Sequence, residues 1–283
     1  MKADKSVIPI GKYRIHVETY QHPSHAESVI MVNGALATTA SFTNCVKYLS
    51  GDMNVILFDL PFSGQSKPHN PNTDIITKED EVAILMALIE RYEPTSLLSV
   101  SWGGYAAMMA LAQSPSSIKK AVLASFSTQL NDDMLRYIHG ARHYIQTGEI
   151  QAAAHLLNDE VGKYLPRLLK HINYRHLSRL DEQELSQTCF HIEQILSMND
   201  TDYKEVLSNI EVPTLFVNGT LDEYTSPEDI QAASHYMPNC LFEEVPGAGH
   251  FLDLEHADAR RRMEKILRGF LLSTSTEHAQ QVA

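Results

Sequence analysis

"SLLSVSWGGYAAMMALA", residues 96–112, decides the fold class. A short apolar run stops at a serine and two glycines, then resumes as a small-residue, helix-like stretch. That pattern is a strand turning sharply into a helix, with Ser101 held above the carboxyl edge of a sheet. The turn is Ser99-Val100-Ser101-Trp102-Gly103, so a serine stands where a G-x-S-x-G elbow has its first glycine. By itself the stretch leaves a second reading open, a serine that only caps the following helix.

Working outward, residues 13–126 alternate apolar, β-branched runs ("YRIHVETY", "SVIMVNG", "NVILFDL", "KAVLASF") with helical segments such as "KEDEVAILMALIERY". This is the βαβ texture of a mostly parallel α/β sheet. From about 128 to 208 helical periodicity takes over, and Pro166 alone of the twelve prolines falls in that interval. "TLFVNG" and "CLFEEVP" then restore the strand texture, and "ADARRRMEKILRGFLL" reads as a closing amphipathic helix. The expected organisation is therefore a core in two parts, 1–127 and 209–272, a helical cap at 128–208, and a flexible tail at 273–283.

With 283 residues and 43% hydrophobic composition the protein can bury a substantial core. A net charge of −12 argues against a general nucleic-acid binder, which needs a basic face. The amino-terminal "MKADKSVIPIGKYR" is charged and no apolar run reaches membrane-spanning length, so a cytoplasmic location without a membrane span is expected. Cys45, Cys189 and Cys240 lack CxxC or zinc-site spacing and are expected to be reduced thiols. Neither a metal nor a cofactor is expected.

Serine is a poor nucleophile until a base takes its proton, and in such sheets the partners follow in the order serine, acid, histidine. Asp222 in "LFVNGTLDEYT" lies just past a predicted strand, and His250 in "VPGAGHFLD" lies in the loop after the last one. Both are loops at carboxyl ends of strands, where parallel sheets bind ligands. Glu223 and Asp229 are rival acids; the turn after Gly219 presents Asp222 first. An oxyanion needs amide donors, expected from Trp102 and from Ala35, where Asn33-Gly34 closes the strand "SVIMV". Asp59 in "FDLPFSGQS" is read as structural, because its neighbours are turn formers, with a second catalytic carboxylate as the alternative.

The blocks "VNGALATTASF", "NVILFDLPFSGQSKPHNP", "ITKEDEVAIL", "SWGG", "LLNDEVGKYLP", "FHIEQIL", "NGTLDEYT" and "GHFLDLE" together resemble the 3-(3-hydroxyalkanoyloxy)alkanoate synthases of bacterial rhamnolipid synthesis, over residues 11–255. The sister family is the 3-hydroxyacyl-carrier-protein:CoA transacylases of polyhydroxyalkanoate synthesis. The resemblance implies an α/β-hydrolase fold with a helical cap and a triad at Ser101, Asp222 and His250. It implies acyl transfer from (R)-3-hydroxyacyl thioesters of acyl carrier protein or CoA. In the synthase the acceptor is a second hydroxyacyl group, and a rhamnosyltransferase would act downstream; in the transacylase it is the CoA thiol, and with water the outcome is thioester hydrolysis. The longer blocks favour the synthase. His176 and Asp181 carry the H-x4-D spacing associated with the transacylase and are candidate substrate contacts, with Asn33 and His191.

Residues 161–180 contain Lys163, Arg167, Lys170, Arg175 and Arg179 and no acid. Lys163, Arg167 and Lys170 fall at helical spacing and are candidate docking residues for an acidic carrier protein or for CoA phosphates. A solvated cap face is the plainer reading.

Overall fold

The computed structural model describes residues 2–71, 74–197 and 200–273. In chain order the elements are β1 (Asp4–Ile10), β2 (Tyr13–Tyr20), β3 (Ser28–Val32), α1 (Thr43–Leu49), β4 (Asn54–Asp59), α2 (Lys78–Tyr92), β5 (Ser96–Val100), α3 (Gly103–Leu111) and β6 (Lys120–Ala124). Then come α4 (Asp132–Gln146), α5 (Ile150–Asp159), α6 (Arg167–Leu177), α7 (Glu182–Ser197), α8 (Asp200–Ser208), β7 (Thr214–Gly219), α9 (Pro227–Gln231), β8 (Cys240–Val245) and α10 (Ala257–Leu271). The eight strands form one sheet in the order β1-β2-β4-β3-β5-β6-β7-β8. β2 is antiparallel to both its neighbours and the remaining pairs are parallel.

Period-two alternation assigns the strand side chains to two cores. Leu97, Ala121, Leu123 and Phe216 point to the face covered by α2 and α3. Leu98, Val122, Ala124 and Val217 point to the face covered by α1 and α10. Both sheet faces are therefore dry, which is why the central strands read as unbroken apolar runs. Helix α2 starts at a capping box in which Thr77 Oγ1 accepts from the Asp80 amide at 3.2 Å and the Thr77 amide donates to Asp80 Oδ2 at 3.1 Å.

The strand β1 is not expected from the sequence, since the strand texture is read from residue 13 onward and "MKADKSVIPI" before it is charged. It pairs antiparallel with β2 at the sheet edge and buries only Ile8, so its sequence carries no two-faced apolar signal. Five helices, α4 to α8, stand between β6 and β7. The last of these differs from the rest: Leu207 lies within the core on the α3 side, and Tyr105 of α3 meets Tyr203 edge to face. Among the described residues no helix is long and apolar enough to cross a membrane. Apart from Ser273, the tail expected to be flexible lies outside the described residues.

Candidate active site

Ser101 follows β5 directly and has φ +49°, a left-handed conformation that a non-glycine residue adopts only when its surroundings enforce it. Two bonds enforce it here. The Ser101 amide donates to Ala124 O at 2.8 Å, and the Gly104 amide donates to Ser101 O at 2.8 Å. A Cβ on Gly34 would lie 3.3 Å from Ser101 Cβ, so glycine at the end of β3 gives the serine its space.

Asp222 sits in the turn after β7 and His250 in the loop after β8, 149 residues from the serine, and the fold brings all three into one relay. Asp222 Oδ2 lies 2.8 Å from His250 Nδ1, and His250 Nε2 lies 2.9 Å from Ser101 Oγ. A carboxylate can only accept, so Nδ1 carries the proton and Nε2 is left to accept from the serine hydroxyl. Burial pushes the His250 pKa down, but the charge and hydrogen bond of Asp222 outweigh it, and the net shift is upward from 6.5. Burial alone would raise Asp222; His250, the Thr225 hydroxyl at 2.6 Å and the Tyr224 amide at 3.0 Å hold it below the ordinary carboxylate range.

Glu223 pairs with Lys163 at 2.7 Å, and Asp229 belongs to α9. Asp59, the last residue of β4, is fully buried and accepts from two backbone amides, Thr39 and Gln65, each at 2.8 Å, so it braces the loops after β3 and β4. Among the described residues the amides of Ala35 and Trp102 donate to nothing, which leaves both available to an oxyanion.

Several supports carry no legible signal in the sequence. Glu255 is buried and accepts from the amides on either side of His250, Gly249 at 2.6 Å and Phe251 at 3.0 Å. Ser125, at φ +48°, donates to His250 O at 2.7 Å. The histidine is thus fixed from its own backbone. Ser99, at the first position of the elbow, is fully buried in β5 and its hydroxyl has no partner among the described residues. A buried unpaired hydroxyl costs stability, so Ser99→Ala is expected to raise the unfolding free energy by about 1 kcal/mol. Urea denaturation checks this, and a clear loss of stability would contradict the assignment.

Ser101 and His250 open into an apolar cavity of about 240 Å³, walled by residues of α4, α5 and α7 such as Tyr137, Ile138, Leu157 and Ile192. A smaller cavity of about 40 Å³ shares the segment Gly34–Ala37 and Trp102 with it and is lined also by Asn33, Glu81 and His191. Asn33 is internally satisfied: its amide donates to Phe58 O at 3.1 Å and its oxygen accepts from Ser41 Oγ at 2.9 Å.

His176 and Asp181 do not form a pair and line neither cavity. His176 Nε2 lies 2.9 Å from Leu36 O, tying α6 to the loop after β3, and Asp181 binds Lys67 at 2.6 Å. The spacing H-x4-D spans the end of one helix and the start of the next, so the two side chains are sent to different partners. Arg167 is exposed and Lys170 partly exposed on α6, whereas Lys163 is taken up by Glu223.

The α/β hydrolase fold family model matches residues 27–257. A (R)-3-hydroxydecanoyl-ACP:CoA transacylase of Pseudomonas aeruginosa is 44% identical, the match covering 93% of its own length and 98% of this chain. Another of that name from Pseudomonas putida is 40% identical, covering 96% of its own length and 99% of this chain. In three dimensions the protein is similar to MGS-M2, an alpha/beta hydrolase enzyme from a deep-sea metagenome library, with TM-score 0.79, 19% identity, and coverage of 98% of that chain with 95% of this one. The sheet and its helices are those of the fold that the elbow predicts, and the sequence agreement runs nearly end to end. The protein is an acyl-transferring enzyme of the α/β-hydrolase fold family, and it belongs with the transacylases that it matches at 40–44% identity.

Proposed function

We propose that this enzyme moves a (R)-3-hydroxyacyl group from the thiol of acyl carrier protein to the thiol of CoA. The observation that carries this reading is a serine relay at the mouth of an apolar cavity, in a chain whose near full-length relatives are named for that transfer. Those names shift the weight from the ester-forming synthase, favoured by the sequence blocks, to the transacylase.

In this mechanism the Ser101 hydroxyl gives its proton to His250 Nε2 as its oxygen attacks the thioester carbonyl. The Ala35 and Trp102 amides receive the negative charge on the carbonyl oxygen. Collapse of the tetrahedral intermediate breaks the carbon–sulfur bond, and His250 returns the proton to the leaving carrier thiol. The CoA thiol then attacks the acyl-serine with His250 again as base, and Ser101 is restored. Asp222 holds the imidazole in its working tautomer and offsets its positive charge. The alkyl tail fills the apolar cavity.

Purified protein incubated with (R)-3-hydroxydecanoyl-carrier protein, with and without CoA, tests the reading by mass spectrometry. Hydroxydecanoyl-CoA formed only when CoA is added supports it. Ester-linked dimers formed equally without CoA would return the synthase, and free hydroxy acid alone would leave a thioesterase.

The base must be neutral to accept the serine proton. Because His250 is raised above 6.5, kcat/KM is expected to fall as pH drops through a midpoint above that value. In Asp222→Asn the residual activity should show a lower midpoint, since burial then acts on His250 without its counter-charge. An acid limb that does not move would separate His250 from that limb.

For the carrier, exposed Leu168 and Ile172 stand on α6 beside Arg167 and Lys170. An apolar stripe with cations suits an acidic carrier protein. The Arg167→Glu, Lys170→Glu double variant is expected to raise KM for the carrier-bound donor by about fivefold or more at low salt. KM for the same acyl group on a short neutral thioester should hold. Unchanged KM for the carrier donor would return α6 to a solvated face.

A further inference from the structure

Beneath the oxyanion loop lies a buried charged cluster that the relay does not use. Lys78 and Glu81, on the first turn of α2, are 2% and 3% exposed, and Lys78 Nζ meets Glu81 Oε2 at 2.9 Å. Lys78 also lies 4.7 Å from the centre of the Trp102 ring. From α7, Gln187 holds both backbone groups of Ile76, its oxygen accepting at 2.8 Å and its nitrogen donating at 2.6 Å. His191, one turn on, packs against Trp102 at 5.5 Å between ring centres.

One atom of this cluster is left over. Glu81 Oε1 comes within 3.1 Å of His191 Nε2, but not in hydrogen-bonding geometry, and it has no donor among the described residues. Burial pulls the His191 pKa down to about 4, so at neutral pH the ring brings Oε1 no positive charge. A carboxylate oxygen buried without a donor is costly, and natural proteins seldom leave one without a use. Trp102 Nε1 is the matching case, a buried N–H with no acceptor among the described residues. Both residues line the 40 Å³ cavity.

That cavity is too small for an alkyl tail but large enough for one water-sized group. It borders the large apolar cavity along Gly34–Ala37 and Trp102, where the proposed mechanism places the thioester carbonyl. A free acceptor and a free donor on two residues that line a water-sized space describe the partner: a hydroxyl, which donates once and accepts once. The 3-hydroxyl is two bonds from the carbon next to the acyl carbonyl, within reach of such a neighbouring site.

We propose that Glu81, with the indole N–H of Trp102, binds the 3-hydroxyl of the acyl donor and selects 3-hydroxyacyl over plain acyl thioesters. This rests on the acyl-transfer reading and adds a specificity determinant to it. Glu81 Oε1 accepts from the hydroxyl and Trp102 Nε1 donates to its oxygen. Lys78 Nζ engages Glu81 Oε2 at 2.9 Å and so leaves Oε1 for the hydroxyl, and Gln187 ties α7 to the backbone of Ile76 beside them. Plain acyl donors would leave both polar atoms unpaired, which is the most effective way for a site to reject an analogue.

The test compares decanoyl-CoA with (R)-3-hydroxydecanoyl-CoA as donors for transfer to carrier protein. The wild-type enzyme is expected to prefer the hydroxylated donor by about thirtyfold or more in kcat/KM. In Glu81→Gln the ammonium of Lys78 selects the amide oxygen, turning the NH2 into the cavity where an acceptor was, and the preference should fall about tenfold. Removing one partner of a buried ion pair can unfold a protein. Trp102→Phe, which removes the indole N–H and leaves the charge pair, therefore serves as the second probe, and it should also lower the preference severalfold. Equal use of both donors by the wild type overturns the proposal while leaving acyl transfer intact. So does full preference retained in folded Glu81→Gln, or, if that variant does not fold, in Trp102→Phe. Turnover of neither donor by the wild type counts instead against the acyl-transfer reading itself.

Discussion

Ser101→Ala and His250→Ala are each expected to lower acyl transfer by between about ten-thousand-fold and a million-fold, and the double variant by no more than the worse single one. The reason is in the geometry. Among the described residues His250 Nε2, at 2.9 Å, is the base within hydrogen-bonding reach of Ser101 Oγ, and in the acylation step the serine proton is the one it takes. Once either member is gone the acyl-serine cannot form at its normal rate, so the losses overlap rather than add. The folded state should survive in Ser101→Ala, which keeps a Cβ at φ +49° and changes no backbone bond. In His250→Ala the buried Asp222 loses a partner, so some loss of thermal stability is expected alongside the loss of rate. Single-turnover acylation followed by mass spectrometry of the intact protein checks both. An acyl adduct on the Ser101→Ala protein would remove this serine from the mechanism.

Gly103→Ala is the second large effect. A Cβ there would stand 2.3 Å from Asn33 O and 2.9 Å from Val32 O, both backbone atoms that no rotamer change can move aside. Either α3 retreats from β3 or the backbone at Asn33 gives way. Each movement separates the Trp102 amide from the Ala35 amide, which lie on the two segments forced apart. The expected result is a fall in kcat of about a hundredfold to a thousandfold, with about 1–3 kcal/mol lost in stability from overpacking. Gly269→Ala is the matching control. It lies inside α10 with nothing within 4 Å of the added carbon, and should gain up to about 1 kcal/mol from helix propensity. Wild-type kcat in Gly103→Ala would separate this contact from the oxyanion site.

The contrast between these two glycines shows how far local pattern reaches. Gly103 announces itself by following Ser101 at a strand-to-helix turn, and "SWGG" carries the meaning without any neighbour in space. Nothing in "MEKILRGFLL" tells whether Gly269 faces a wall or solvent. The same division applies to the strands. The central strands β3 to β7 read clearly because dry faces on both sides demand continuous apolar runs, whereas β1 at the sheet edge buries one residue and its charged sequence shows no such run.

The cap shows the division in its side chains. Its helical character is legible from periodicity, but the partners of its polar residues are not. His176 and Asp181 have suggestive spacing and go to Leu36 and Lys67 instead. Lys163 reads as free on a basic face and is bound by Glu223, which sits beyond β7. His191 stands out in the sequence, yet the acid that gives its surroundings their character, Glu81, passes there as an ordinary member of the α2 charge pattern.

What the sequence alone determined, then, is the alternation of strands and helices, the sharp turn at Ser101, and the loops that present Asp222 and His250. These depend on periodicity, turn chemistry and chain order, which act over a few residues and survive as pattern. Only the tertiary structure decided which groups surround the relay: Glu255 and Ser125 around His250, Ser99 buried in β5 with no hydroxyl partner among the described residues, and Glu81 paired with Lys78 beside Trp102. A polar side chain is the same letter whether it meets water or is buried against one partner, and that difference is set by segments that fold together from far apart in the sequence.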